Sequence, residues 1–534
     1  MGESKTIKTE EVIADLLGKR EDQKKGGGEK AVAKQRDKDK LLARERVELL
    51  FDKGTFCELD LWAQPLRTGF DDLDAKSLPG DASVIGYGKV NGRPVMVYAH
   101  DFTQMTGTQS AVQHSKITKA MDMAVKMNIP YVGIVDSAGI RLQDMMGEPL
   151  TRPPVRGHGL GECGNFMFSP PNASGVIPQI ALMLGPQFAG SSYSPIMKDF
   201  LIMRKSPNVF MSLISPPVIK EVVGEEVTYD EIGSALVHAE ITGTTDLVVD
   251  TDEEGIETVK ALLSFLPSNW KEKPPAIEND DPPDRKDQEL LDISLRDSKD
   301  RDTHEIIRRI VDNGSFFETK PLFAKNMIVG FARFNGQTAG IVANNPREKQ
   351  GTIDIDVSDK AARFIRFCDC FNIPLVFLVD SIGFVSSKEE EKAGLERHAA
   401  KLPYAICEST VPKITIYVGE CSGDAEYMMG TESMGVDLVL AWPTAKIGQV
   451  DPEKAVDINY EKELRQAENP EELRGEKIRA FREENCTVYH AGARQLVNDI
   501  VDPRDTRPMI IQALDCFKNK EEILPAKKHG NIPL

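Results

Sequence analysis

The eight cysteines, at positions 57, 163, 368, 370, 407, 421, 486 and 516, include no CxxC pair. Without such pairs the sequence offers no structural zinc framework. Cys368 and Cys370 flank a single residue in a helical pattern and so point in different directions, and the set reads as buried free thiols. Long apolar runs are missing as well: no stretch reaches the about 18 residues that a membrane-spanning helix needs. The N-terminus, MGESKTIKTEE, has no apolar signal core, which predicts a cytoplasmic protein with no membrane insertion. Its first residues are loosely similar to a myristoylation start, but no second membrane feature accompanies them. Positive charge is scarce: 66 Lys and Arg against 84 Asp and Glu leave a net charge of −18. That sign excludes nucleic acid as the main partner. A local cluster of Lys and Arg can still hold a small anion.

What is present is a globular composition. The 534 residues are 40% hydrophobic and 28% charged, enough for about two to four domains with large cores.

The chain also repeats itself. VIGYGKVNGRPVMVYAHD begins at Val84 and IVGFARFNGQTAGIVANN at Ile328, 244 residues later. Both read as a strand, an Asn-Gly turn and a second strand. At the same offset NIPYVGIVDSAGI from Asn128 matches NIPLVFLVDSIGF from Asn372, each after a helical stretch. Upstream, LLFDKGTFCEL from Leu49 matches RIVDNGSFFET from Arg309. Downstream, IPQIALMLGPQFAG from Ile177 matches VPKITIYVGECSGD from Val411. The pattern predicts two α/β domains with mixed sheets, at residues 49–270 and 301–534. The Pro-rich, charged stretch between them predicts a linker at 271–300. Residues 1–48, which contain KKGGGEK, predict charged surface helices joined by a flexible break.

The stretch LGPQFAGSSYSP, from Leu184, follows an apolar strand yet contains no Cys, His, Asp or Glu. Small residues at a helix start offer backbone N–H groups, which hold negative charge. Its partner in the second half is GECSGDAEYMM, and each half also has a strand ending in DSAGI or DSIGF. Two loops per half could each aim one N–H at one oxygen, which gives two oxyanion holes in one chain.

These residues resemble the carboxyltransferase subunit of biotin-dependent acyl-CoA carboxylases, the propionyl-CoA carboxylase β type. The resemblance runs from about Leu41 to the C-terminal PAKKHGNIPL and is carried by KITKAMDMAVKMNIPYVGIVDSAGIRLQD, ASGVIPQIALMLGP, VVGEEVTYDEIG, IVANNP, KAARFIRFCDCFNIPLVFLVD and LAWPTAKI. It implies two tandem crotonase-like (ClpP/crotonase) domains and a hexamer. The sites would lie between the first domain of one subunit and the second of another. The partner it implies is a separate biotin-carrying or biotin carboxylase subunit. In the implied chemistry carboxybiotin releases CO₂, the biotin ureido anion takes the α-proton of the acyl-CoA, and the enolate attacks CO₂. The cofactor is then the base, which fits a site without a catalytic side chain. By position, Gly139, Ile140, Ala189 and Gly190 would form the hole for the acyl-CoA thioester. Gly383, Phe384, Asp424 and Ala425 would form the hole for biotin. Lys116 and Arg141 would meet the phosphates of coenzyme A.

The chain departs from the family pattern around the reacting groups. DSAGIRLQDMMGEP stands where DSGGARIQEG is usual, and LTRPPVRGHGLGECGNFMF is longer than usual, with Gly and Pro suited to a substrate-covering loop. Gly423-Asp424-Ala425-Glu426-Tyr427 replaces Gly-Gly-Ala-Tyr-Asp, and QVDPEKAV from Gln449 replaces VMGAKGAV. The last position of the first motif is associated with acyl selectivity, so Tyr427 argues for an unusual acyl group. Asp424 is expected to turn away from biotin and to cap the helix that begins near Ala425. VKMNI around Lys126 is not read as a biotinylation site, since it lies in a repeated helix. GKREDQKKGGGEK lacks the strand and the Gly-Lys-Ser/Thr ending of a phosphate loop. Two other readings stay open: a decarboxylase or transcarboxylase subunit, and an inactive scaffold.

Overall fold

The computed structural model describes residues 9–65, 71–76, 78–141, 165–448 and 450–533. Its chain divides into two units, residues 1–264 and 265–534. In the first, β1 (Cys57–Leu59), β2 (Ser83–Val90), β3 (Arg93–His100), β4 (Tyr131–Val135), β5 (Gln179–Met183), β6 (Phe200–Arg204) and β7 (Leu247–Val249) line up in chain order as one sheet. β1 to β3 pair antiparallel, and every later pair is parallel. The switch follows from the connections. β2 and β3 are joined by Asn91 and Gly92, at φ 50° and 78°, the two left-handed residues that a tight hairpin turn requires. From β3 onward each connection carries a helix or a longer loop, as a parallel crossover must. β4, β5 and β6 are buried along their whole length, as parallel strands covered on both faces are. Helix Ala111–Met127 connects β3 to β4; the Ser110 side chain accepts from Gln113 N at its start, and left-handed Asn128 ends it.

The second unit repeats this design. β8 (Phe317–Thr319), β9 (Met327–Phe334), β10 (Gln337–Asn344), β11 (Leu375–Ser381), β12 (Lys413–Ser422), β13 (Leu438–Ala441) and β14 (Asp499–Ile500) follow the same order and directions, with Lys446–Gly448 added beside β12. The repeat extends to backbone angles. Met105, Thr106 and Gly107 have φ 47°, 55° and 65°; Lys349, Gln350 and Gly351 have 46°, 55° and 66°. Gly139 and Gly383 are both at 97°. The architecture is the pair of repeated crotonase-like α/β domains. Each half has its own core, one centred on Tyr98, Tyr131 and Met183 and the other on Ile341, Leu378 and Trp442.

Four expectations change. Residues 1–48 are not only surface helices: Thr9–Gln23 buries nothing, but Lys40 and Arg46 are buried in the first unit. The glycine run is not a free hinge either. Gly27 N donates to Thr103 Oγ1 at 2.9 Å, and a Cβ there would lie 1.8 Å from the Thr103 carbonyl oxygen, so only glycine permits the approach. The stretch expected as a linker contains helix Glu289–Ser294, whose Leu290 and Ile293 join the second core. Of the seven described cysteines only Cys368, Cys421 and Cys486 are buried; all seven are free thiols. The Gly- and Pro-rich loop expected over the substrate, as far as Gly164, and Gln449 lie outside the described residues.

Candidate active site

Each half places two loops side by side at the C-terminal ends of its parallel strands. After β4 the chain runs Asp136-Ser137-Ala138-Gly139-Ile140. It is held against the preceding crossover by three bonds: Ala138 N to Thr106 O at 3.0 Å, Gln109 N to Gly139 O at 2.8 Å and Arg141 N to Gln109 O at 2.8 Å. Those bonds bracket Ile140, whose own N–H has no acceptor among the described residues. The second loop follows β5 and enters the turn Ala189–Ser192 and the short helix Tyr193–Ile196. Gly190 N has no acceptor among the described residues either. A Cβ at Gly190 would lie 3.8 Å from Ile140 Cδ1, so the loops adjoin. Ala189 is left-handed, at φ 46°, a strained state for alanine.

The second half repeats the arrangement. Ile353 N donates to Gly383 O at 2.9 Å and Val385 N to Ile353 O at 3.0 Å, bracketing Phe384. Beyond β12 come Gly423, Asp424 and helix Ala425–Met428. A Cβ on Gly383 would stand 3.2 Å from Asp424 N and 3.6 Å from Ala425 N, so these amides face the first loop. Neither Phe384 N nor Ala425 N has an acceptor among the described residues. Ile382 and Ser422, which precede Gly383 and Gly423, help to line a pocket of about 580 Å³ together with Gln350, Glu420, Lys446 and Tyr489. Among the described residues no group of three His, Cys, Asp or Glu side chains is placed to hold a metal ion.

The side chains expected to bind ligand are placed differently. Lys116 is buried, with its Nζ donating to Gly80 O and Ser83 O, both at 2.6 Å; burial draws the ammonium down to about 8. Arg141 is buried too, on Asp81 Oδ1 at 3.1 Å and Thr108 O at 3.0 Å. Both cations thus close loops of their own unit, and neither is presented to a phosphate. Asp424 is exposed and makes no side-chain cap, because it already has helical angles, φ −71° and ψ −9°. A capping residue normally stands in extended backbone. Tyr427 is 44% exposed. Sequence reasoning passed over Asp136 and Asp380, the acids at the start of the two Gly139 and Gly383 loops. Their signal was the shared VDS, 244 residues apart.

Two repeated α/β halves, each ending in paired loops with amides that have no acceptor among the described residues, define a tandem crotonase-like fold. The chain matches the carboxyl transferase domain family over residues 34–532 and belongs to it. It is 42% identical over 526 residues to the propionyl-CoA carboxylase carboxyltransferase subunit of Haloferax mediterranei, covering 98% of this chain and 99% of that one. It is 40% identical over 524 residues to the methylmalonyl-CoA decarboxylase subunit alpha of Propionigenium modestum, with coverage of 98% and 99%. Among solved structures, the transcarboxylase 12S crystal structure with methylmalonyl-coenzyme A bound, described as a hexamer assembly, superposes with a TM-score of 0.92 at 38% identity, over 100% of both chains. The chain is an enzyme of the acyl-CoA carboxyltransferase class.

Proposed function

We propose that the chain is the carboxyltransferase subunit of a biotin-dependent acyl-CoA carboxylase, adding a carboxyl group at the α or vinylogous carbon of an acyl-CoA. The observation that carries this reading is the doubled set of paired loops whose amides have no acceptor among the described residues. Carboxybiotin, delivered on a partner subunit, supplies the carboxyl group and the base. The chain's own residues do the rest. Ile140 N and Gly190 N donate to the thioester oxygen as negative charge develops there. Phe384 N and Ala425 N would donate to the ureido oxygen of biotin, beside the pocket that Ile382 and Ser422 help to line. Fixed backbone donors need no reorganisation, and each is worth about 3 kcal/mol of transition-state stabilisation in known cases. The exposed carboxylate of Asp424 does not compete for them.

Each copy contributes both half-sites, and a complete site joins the first of one copy to the second of another in a hexamer. Exposed apolar side chains beside the loops support a covering partner: Tyr193 and Ile196 at 41%, Ile382 and Tyr427 at 44%. Seven described cysteines, all free, accord with a cytoplasmic location. The same geometry serves the reverse reaction, and the partner subunit decides between carboxylase and decarboxylase. The test is transfer from methylmalonyl-CoA to free biotin by the purified chain, with light scattering on the same sample. Turnover by a hexamer is expected. A stable monomer would end the shared-site reading; a hexamer that binds the thioester without turnover would make the chain a scaffold.

A further inference from the structure

Asp136 and Asp380 stand where the two loops of each half meet. Asp136 Oδ1 accepts from Lys40 Nζ at 2.7 Å, and its Oδ2 accepts from Arg46 Nη1 at 2.8 Å and Gln35 Nε2 at 3.2 Å. A Cβ on Gly185, at the root of the second loop, would lie 1.8 Å from Asp136 Oδ1. In the other half Asp380 pairs with Arg301, and its Oδ1 accepts from Ser298 Oγ and Glu420 N, both at 2.8 Å. A Cβ on Gly419 would lie 2.3 Å from Asp380 Oδ2. Each carboxylate therefore grows from the first loop and is pressed against the strand end that launches the second. Asp136, Asp380, Lys40, Arg46 and Arg301 are all at least 95% buried.

A buried ion pair gives little net stability over an apolar pair of the same shape. Its worth lies in fixing one geometry. The pair recurs in both halves although the cations differ: Lys40 and Arg46 stand before and within helix Ala43–Leu50, and Arg301 stands just before helix Thr303–Ile310. A shared acceptor with unlike donors indicates that the position of the aspartate is what the fold preserves.

We propose that these are two separate locks, one per half-site: Lys40 and Arg46 on Asp136 position the acyl-CoA hole, and Arg301 on Asp380 positions the biotin hole. They are positioning residues, since none reaches the reacting atoms. The assignment of hole to ligand rests on the proposed function, whereas the locks themselves can be read without turnover. The test is backbone hydrogen exchange on the full-length hexamer, followed by transfer from methylmalonyl-CoA to free biotin. In Arg301→Met, exchange at Gly383 and Val385 rises about tenfold or more, while Gly139 and Arg141 keep their wild-type rates. The KM for biotin rises or kcat falls, and the dissociation constant for methylmalonyl-CoA stays within about twofold. Arg301→Lys restores most of the effect. Lys40→Met gives the reverse pattern, with faster exchange at Gly139 and Arg141 alone. If Arg301→Met does not fold, Asp380→Asn, which keeps an acceptor for Glu420 N, takes its place. Faster exchange in both loops at once, or in neither, overturns the proposal. A wild-type chain without transfer activity would overturn the functional reading and leave the exchange result standing.

Discussion

A methyl group added at position 383 meets a different neighbourhood from one added at 139. Both glycines sit at φ 97°, so alanine at either carries a similar backbone cost of about 1–2 kcal/mol. At 139 the nearest atom is Phe188 Cδ2, 3.9 Å away, which is ordinary contact. At 383 the methyl lies 3.2 Å from Asp424 N and 3.3 Å from Ser422 O, and it must wedge the two loops apart. Gly383→Ala should therefore lower kcat/KM for transfer to biotin about a hundredfold, near the cost of losing one oxyanion donor. Gly139→Ala should lose about tenfold less, at a similar unfolding temperature. Steady-state kinetics and thermal unfolding on the pair check this; equal losses would mean that the wedge is irrelevant. The loops themselves were legible in the sequence, as small residues after apolar strands. Their fine packing was not, because it depends on atoms of residues 39 to 49 positions away.

Hairpins, strands and crossover helices were read correctly because each leaves a local signature: Asn-Gly between alternating runs, or an apolar period of 3.6. What escaped was the use of charge. A lysine within a helix reads as surface, yet Lys116 holds its helix to the turn before β2. Lys360, at the same place in the second half, donates to Lys320 O at 2.9 Å, Phe323 O at 2.7 Å and Met327 O at 2.6 Å. The tie is present in the half assigned to biotin as well as in the half assigned to acyl-CoA, so phosphate binding does not explain it. Lys40 and Arg46 misled in the same way, since their partner Asp136 lies 96 and 90 residues along the chain. Lys116→Met removes two charged hydrogen bonds to buried carbonyls, of which Gly80 O keeps the Ser83 N–H at 3.2 Å. It should cost about 2–4 kcal/mol of stability while the KM for acyl-CoA stays within about twofold. Denaturant unfolding and acyl-CoA titration separate the two effects; a large rise in KM at unchanged stability would return Lys116 to the ligand.

At the scale of the whole chain the two halves share a backbone but not its buried histidines. In the first unit His100 and His114 are buried. Burial pulls His100 down to about 3 and His114 down to about 4. His100 Nδ1 accepts from Asp136 N at 3.2 Å, which leaves its proton on Nε2, a buried donor with no acceptor among the described residues. In the second unit the equivalent positions are Asn344 and Ser358, which cannot titrate. There His304 goes the other way, because its hydrogen bond to Glu318, at 2.9 Å, raises its pKa. The signs follow from proton linkage. A histidine depressed in the folded state contributes fully above its ordinary value of about 6.5, and its contribution is lost as pH falls from there toward the folded value. A raised histidine contributes fully below about 6.5 and is lost as pH rises through its folded value. Mild acid should thus weaken the first unit by up to about 1.4 kcal/mol per pH unit for each buried histidine, and leave the His304 contribution intact. Hydrogen exchange at pH about 7 and about 5 should show faster global opening in residues 83–204 than in 317–441 at the lower pH. His100→Asn, which installs the residue of the second half, should remove about half of that acid sensitivity. An unchanged pH profile in the variant would mean that His100 takes up no proton on unfolding and that the acid response originates elsewhere.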